Sequence, residues 1–272
     1  MVNKIQTYLA ILFLAFFSLI SPANAEVKVV TSIKPIHSLV SYIMDGVGKP
    51  DVIVDGYNSP HNFSLKPSHA KMLENADLVI WVGENLETFL EKPLNTIAKK
   101  AKNIEIMDLK GIKKLEFREK NIFEEHDEHG HDEHKEHDEH KEKDSHEGHA
   151  HGEHDPHVWL DPINAKLIIK EITKQLVQLD AKNSSAYKSN SKKALAEMDN
   201  LIQTIQKDLN KDLRFVVFHD AYQYFENRFG IQVLGSLTVN TDVMPGAEQL
   251  SEIREVIEHE KVNCLFSEPQ FN

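Results

Sequence analysis

The chain has 272 residues, with 31 lysines and arginines against 43 aspartates and glutamates, and a formal net charge of -12 at pH 7. That acidity excludes nucleic acid and anionic lipid as partners, because both repel a surface of the same sign. Cys264 is the single cysteine, which excludes an intrachain disulfide within this sequence, while the histidines number 16.

In chain order, the amino terminus reads as a secretory signal. Lys4 gives it a weakly positive start, and the apolar stretch from Tyr8 to Ile20 is too short to cross a bilayer comfortably. Ala23-Asn24-Ala25 fits small-x-small cleavage, so residues 1–25 are read as a signal peptide removed after Ala25. The mature chain then starts at Glu26 in the periplasm; an uncleaved anchor is the alternative. No cysteine directly follows the apolar stretch, which argues against a lipid anchor.

From residue 27 the pattern alternates. β-branched 27–33 predicts a buried strand, and Pro35 opens a helix running to Met44 and stopped by Gly46 and Gly48. Strands are predicted over 51–55, 78–82 and 104–107, and helices over 67–75 and 86–100. After the histidine-rich interval, Asp161-Pro162 pairs an N-cap with a proline at the first helical position and predicts a helix to Leu179. A long helix follows from Asn183 or Ser184 to about Leu209. Then come a strand at 214–218, a helix at 221–229, a strand at 231–237, a helix at 247–260 and a strand at 262–266. Strands alternating with helices predict an α/β fold: two lobes with mostly parallel sheets flanked by helices.

The predicted organisation is an N-terminal lobe over 26–115, a disordered His/Glu-rich loop over 116–155, and a helix closing the first lobe over 156–182. An interdomain helix over 183–210 and a C-terminal lobe over 211–272 complete it. That last lobe has only three predicted strands and ends on one, so it is expected to be incomplete.

Between Glu124 and His157 histidine and acid crowd out nearly everything else, with His-Asp-Glu-His starting at 126, 131 and 137. A stretch with so few apolar side chains cannot build a core. Neutral imidazoles and carboxylates suit a divalent cation, so weak multiple zinc binding near a tighter site is one reading; a solvated linker is the other. Three further histidines occupy comparable places. His61 follows Ser59-Pro60 in the loop after a strand, His157 stands in Asp155-Pro156-His157 before a helix, and His219 ends the strand 214–218. Ligands of open α/β sheets sit beyond the carboxyl ends of strands. Three imidazoles meeting there make a three-nitrogen site with one open position. His37, His69, His259 and Trp159 read as structural. Glu268 also reads as structural, with a place behind a ligand as the alternative, and Asp220 is a candidate to orient an imidazole.

At this point the sequence resembles a family. The stretch from Gly56 to Ser68, the run Asp155 to Pro162, Phe218-His219-Asp220-Ala221-Tyr222 and Phe266-Ser267-Glu268-Pro269-Gln270-Phe271 are similar, in this order, to four motifs of the metal-binding receptors of ABC importers. The resemblance covers nearly all of the mature chain. It implies a class III metal-binding receptor with two lobes joined by a rigid helix, slight hinge motion, and delivery of the metal to an inner-membrane ABC permease. A histidine at position 219 and an acidic His-rich insertion resemble the zinc-specific branch, where manganese receptors have a carboxylate in place of His219. It therefore implies a monomeric zinc receptor, not an enzyme, with His61, His157 and His219 as metal ligands. Zn(II) would be the transported ligand, with no organic cofactor.

Two departures stand out. Some zinc receptors carry glutamate where this chain has Pro60. The family chain also continues past the Glu-Pro-Gln-Phe motif, where it supplies an aspartate near the metal and, in some members, a cysteine partner for the counterpart of Cys264. The fourth position is thus expected to be water or a donor from the loop. Three alternatives stay open: a periplasmic zinc store or metallochaperone, a zinc hydrolase, and a truncated remnant of a receptor. Against the hydrolase, neither H-E-x-x-H nor H-x-x-E-H occurs.

Overall fold

The structure is a computed structural model that describes residues 26–118, 120–123, 154–238, 241, 245–262 and 264–270. Residues 1–25, read from the sequence as a signal peptide, and most of the His/Glu-rich tract lie outside these residues.

The first lobe is a parallel sheet in the order β2-β1-β3-β4, from β1 (Val29–Ile33), β2 (Asp51–Val54), β3 (Leu78–Trp81) and β4 (Lys102–Glu105). Every residue of β1 and β3 is buried, as expected of continuous apolar or β-branched runs in a sheet covered on both faces. The cover comes from α1 (Lys34–Ile43), α2 (Pro67–Asn75) and α3 (Thr88–Thr96). Proline stands at the start of α1 and α2, where its missing N–H costs nothing. α3 is shorter than the predicted 86–100 because residues 83–87 are folded into turns. There Glu87 accepts hydrogen bonds from the N–H groups of Val82 and Gly83 (3.0 Å each), and burial pushes its carboxyl up to about 7.

A short 3₁₀ turn, Val158–Leu160, leads into α4 (Pro162–Leu179), whose Ile168, Ile169, Ile172 and Leu176 join the first lobe's core. α5 (Ser184–Asp208) packs on α4 and α1, and Asn190 donates to the carbonyls of Ile43 (3.1 Å) and Asp45 (2.9 Å). It carries the chain to the second lobe. There β5 (Phe215–His219), β6 (Val233–Thr238) and β7 (Cys264–Phe266) form a parallel sheet in the order β6-β5-β7, with α6 (Gln223–Phe229) and α7 (Ala247–His259). Gly230 ends α6 in the left-handed conformation (φ 64°), the usual glycine solution at a helix end.

The tract expected to be disordered from residue 116 to 155 departs from that expectation at both ends. Residues 121–123 lie antiparallel along β6 through the pair Ile122 and Gly235, and Glu116 pairs with His154. Short antiparallel additions of this kind are set by distant partners, which local composition does not reveal.

The lobes meet on polar ground. Arg228 of α6 grips Asp161 through Nε (2.7 Å) and Nη2 (2.6 Å), while Asp161 also caps α4 by accepting from Ile163 N–H (2.8 Å). Asp161→Ala is expected to destabilise the protein by about 2–3 kcal/mol. The lost cap accounts for roughly 1 kcal/mol and the stranded guanidinium for the rest, moderated because Arg228 keeps 30 % of its side chain in solvent. Urea denaturation checks this, and a change below half of that figure would contradict it.

Candidate metal centre

His61, His157 and His219 come together in the crevice between the lobes, with one ligand atom from each lying within 4.8 Å of the others; this is the only group of the kind among the described residues. His61 lies beyond the carboxyl end of β2 and His219 is the last residue of β5. Each proline neighbour, Pro60 and Pro156, stiffens the loop that presents its histidine. His157 and His219 are 5 % and 7 % exposed, and His61 is half-buried. The ring centroids stand 5.3–5.8 Å apart.

Two of the rings are held from behind. Asp155 Oδ1 accepts the backbone N–H of His157 (2.9 Å) and its Nδ1–H (2.6 Å). His219 Nδ1 lies 2.5 Å from Glu268 Oε1. A carboxylate can only accept, so each ring proton belongs on Nδ1 and each Nε2 presents a lone pair. These two Nε2 atoms face one another at 3.4 Å. Two nitrogens bound to one zinc at about 2.05 Å and a tetrahedral angle stand about 3.3 Å apart. The spacing fits the ion, and two opposed lone pairs without a cation between them would be unfavourable.

Burial pushes the His219 imidazole below its ordinary value, aided by neighbouring His157 and opposed by Glu268. A depressed value keeps the ring neutral, the form that coordinates. Asp220 does not take the orienting role anticipated for it. Its Oδ1 accepts from Arg118 (3.0 Å), and burial pushes it up to about 7 against the pull of that guanidinium. Glu268, read as structural, stands instead behind His219. Asp155 went unassigned, although its place two residues before His157, with proline between, was the available signal. His37 bonds the carbonyl of Pro50 (3.1 Å) and His69 Nδ1 accepts from Lys66 N–H (3.1 Å). Trp159 packs on the first lobe's core with its ring 5.4 Å from that of His157.

Two α/β lobes, a long helix between them and histidines converging from both define the class III metal-binding receptors of ABC importers. Solved structures bear out the fold. "Crystal structure of ZnuA" superposes with a TM-score of 0.72 at 24% identity, covering 91% of this chain and 84% of that one. A Zn(II)-bound variant of AdcAII from Streptococcus pneumoniae superposes with 0.68 at 22%, covering 88% and 80%. The chain belongs to the ZnuA family, described as zinc-uptake complex component A, periplasmic, whose sequence model matches residues 29–272. The high-affinity zinc uptake system protein ZnuA of Brucella abortus (strain 2308) is 47% identical over 285 residues, which cover 100% of this chain and 85% of that protein. Its namesake in Yersinia pestis is 37% identical, covering 93% and 79%. Among the described residues no helix is long and apolar enough to cross a membrane.

Proposed function

We propose that this protein is a periplasmic receptor that binds one Zn(II) through His61, His157 and His219 and hands it to the membrane permease of an ABC importer. The observation that carries this reading is the 3.4 Å between the Nε2 atoms of His157 and His219, each ring held from behind by a carboxylate. Three nitrogen donors favour zinc over manganese, which prefers oxygen-rich sets. Zinc is cargo here, so the site needs affinity and release rather than turnover. The protein acts as a monomer after export and cleavage following Ala25. The His/Glu-rich tract adds weak sites that raise the zinc concentration near the tight one.

Chelator-competition titration of the mature chain tests the proposal. One tight zinc per chain, lost in His61→Ala while weak binding persists, is the expected result. Weak sites alone would favour a store, and zinc-dependent hydrolysis of an ester or peptide would favour an enzyme.

Affinity at the tight site is also expected to fall as pH drops through about 6.5, because protons compete for imidazole nitrogens. Each ring protonated in the metal-free protein costs about tenfold per pH unit. His219, depressed by burial, joins that competition at lower pH than an ordinary imidazole. In the metal-free protein the same depression leaves stability untouched above the ordinary imidazole value and lowers it as pH falls below that value, because the unfolded chain takes up the proton first. Calorimetric titration at pH 7.5 and pH 5 checks the zinc effect; equal affinity at both would contradict it.

A further inference from the structure

Among the described residues the chain passes from the first lobe to the second through α5 and also just before the His/Glu-rich tract. At Lys113 it still belongs to the first lobe, exchanging backbone hydrogen bonds with the side chain of Asn164 (2.9 and 3.0 Å). By Arg118 it belongs to the second. Arg118 donates to Asp220 (3.0 Å) and grips both oxygens of Glu226 (3.1 and 2.9 Å), and its guanidinium stacks 4.0 Å from the ring of Phe123. Residues 121–123 then extend the second sheet at its β6 edge. Asn121 C=O accepts from Ser236 N–H (2.8 Å), Phe123 N–H donates to Leu234 C=O (3.1 Å), and the Asn121 amide donates to Leu237 C=O (3.0 Å). Gly235 permits this approach, since a Cβ there would lie 2.7 Å from the Asn121 carbonyl oxygen.

This crossing closes on the metal centre. Asp220 follows His219 directly, and Glu226 also accepts from Val233 N–H (3.1 Å), so Arg118 fixes the β5–α6 turn that presents His219. Tyr224 of α6, 1 % exposed and part of the first lobe's core, accepts from Leu115 N–H (2.9 Å) and donates to Asp155 C=O (2.7 Å). One set of contacts therefore ties His157, on the first lobe, to His219, on the second.

We propose that residues 115–118 and 120–123 form an interlobe strap, with Arg118 as its positioning residue, that presets the spacing of His157 and His219 before metal arrives. This rests on the zinc reading above. The bidentate guanidinium and the glycine contact are two independent anchors of one device. Arg228 on Asp161 and Tyr224 on Asp155 still join the lobes when either anchor is released, but the β5–α6 turn loses its fixed place, and if the competent arrangement then fills a tenth of the population, apparent zinc affinity falls about tenfold.

The test uses the mature chain in a Cys264→Ser background, with nitroxide labels at Lys71→Cys on α2 and Glu255→Cys on α7, read as an interlobe distance distribution by pulsed electron resonance. The unaltered strap should give one narrow distribution, the same with and without zinc. Arg118→Met and Gly235→Ala should each broaden it in the metal-free protein, regain the narrow form with zinc, and weaken tight zinc binding about tenfold. The absorption of Co(II) in the saturated variants should not change, because the three imidazoles are untouched. Folded variants that keep both the narrow metal-free distribution and the parent affinity overturn the proposal. So does a loss of affinity with an unchanged metal-free distribution. Should Arg118→Met fail to fold, Gly235→Ala and Asn121→Ala decide, since both leave every buried charge in place. The metal-free distances need no zinc, so a parent protein that failed to bind zinc would refute the zinc reading while the strap stayed measurable.

Discussion

His219→Ala is expected to lower affinity at the tight zinc site by about 100- to 1000-fold while leaving secondary structure intact. Zinc held by protein ligands at neutral pH is worth roughly 10–16 kcal/mol, so one ligand in four carries roughly 2.5–4 kcal/mol. Removing the ring also leaves Glu268, with 9 % of its side chain exposed, without the imidazole it holds. His157→Ala should match it, since that ring is equally buried and equally supported by Asp155. His61 is half-buried, so water reaches the vacated place more readily and the loss there should sit at the lower end. Competition against a chromophoric chelator measures all three. Parent-like affinity in the His219 variant would remove that residue from the donor set and leave the opposed Nε2 atoms unexplained.

Where the fold was legible, the cause is local chemistry. Asp161-Pro162 marks the start of α4 to the residue, because capping and a proline-fixed φ act within one turn. Pro67 does the same for α2, and the continuous apolar runs at β1 and β3 announce buried parallel strands. The three histidines were legible because each follows or precedes an element end where ligands of α/β sheets gather. What stayed hidden is non-local. Glu268 reaches His219 across 49 residues, and the pairing of Asn121 with Ser236 joins segments of the second lobe that lie far apart in the sequence. Asp220, beside His219 in sequence, turned to Arg118 instead, because the guanidinium lies on a segment whose composition advertises only the tract it leads into. Adjacency to a candidate ligand proved a weaker guide than the partner a buried charge requires.

Asp155→Asn and Glu268→Gln are each expected to weaken tight zinc binding by about 10- to 100-fold, the usual consequence of losing the carboxylate behind a metal-binding imidazole. The two variants act by different routes. In Asp155→Asn the side-chain amide oxygen can still accept the His157 backbone N–H, so the turn survives and what is lost is negative charge behind the ring. Asp155→Ala removes the turn as well and should fall further. At Glu268 the carboxylate comes from beyond β7, so Glu268→Gln loosens the register between the chain's last described segment and β5, as well as the basicity of Nε2. Because both carboxylates act on one ion through rings whose Nε2 atoms lie 3.4 Å apart, their effects should depart from additivity in the double variant; additivity within about 0.5 kcal/mol would mean the rings respond independently. Equal affinity in parent, Asp155→Asn and Glu268→Gln would show that neither carboxylate tunes its imidazole, and would leave burial alone to keep the nitrogens neutral.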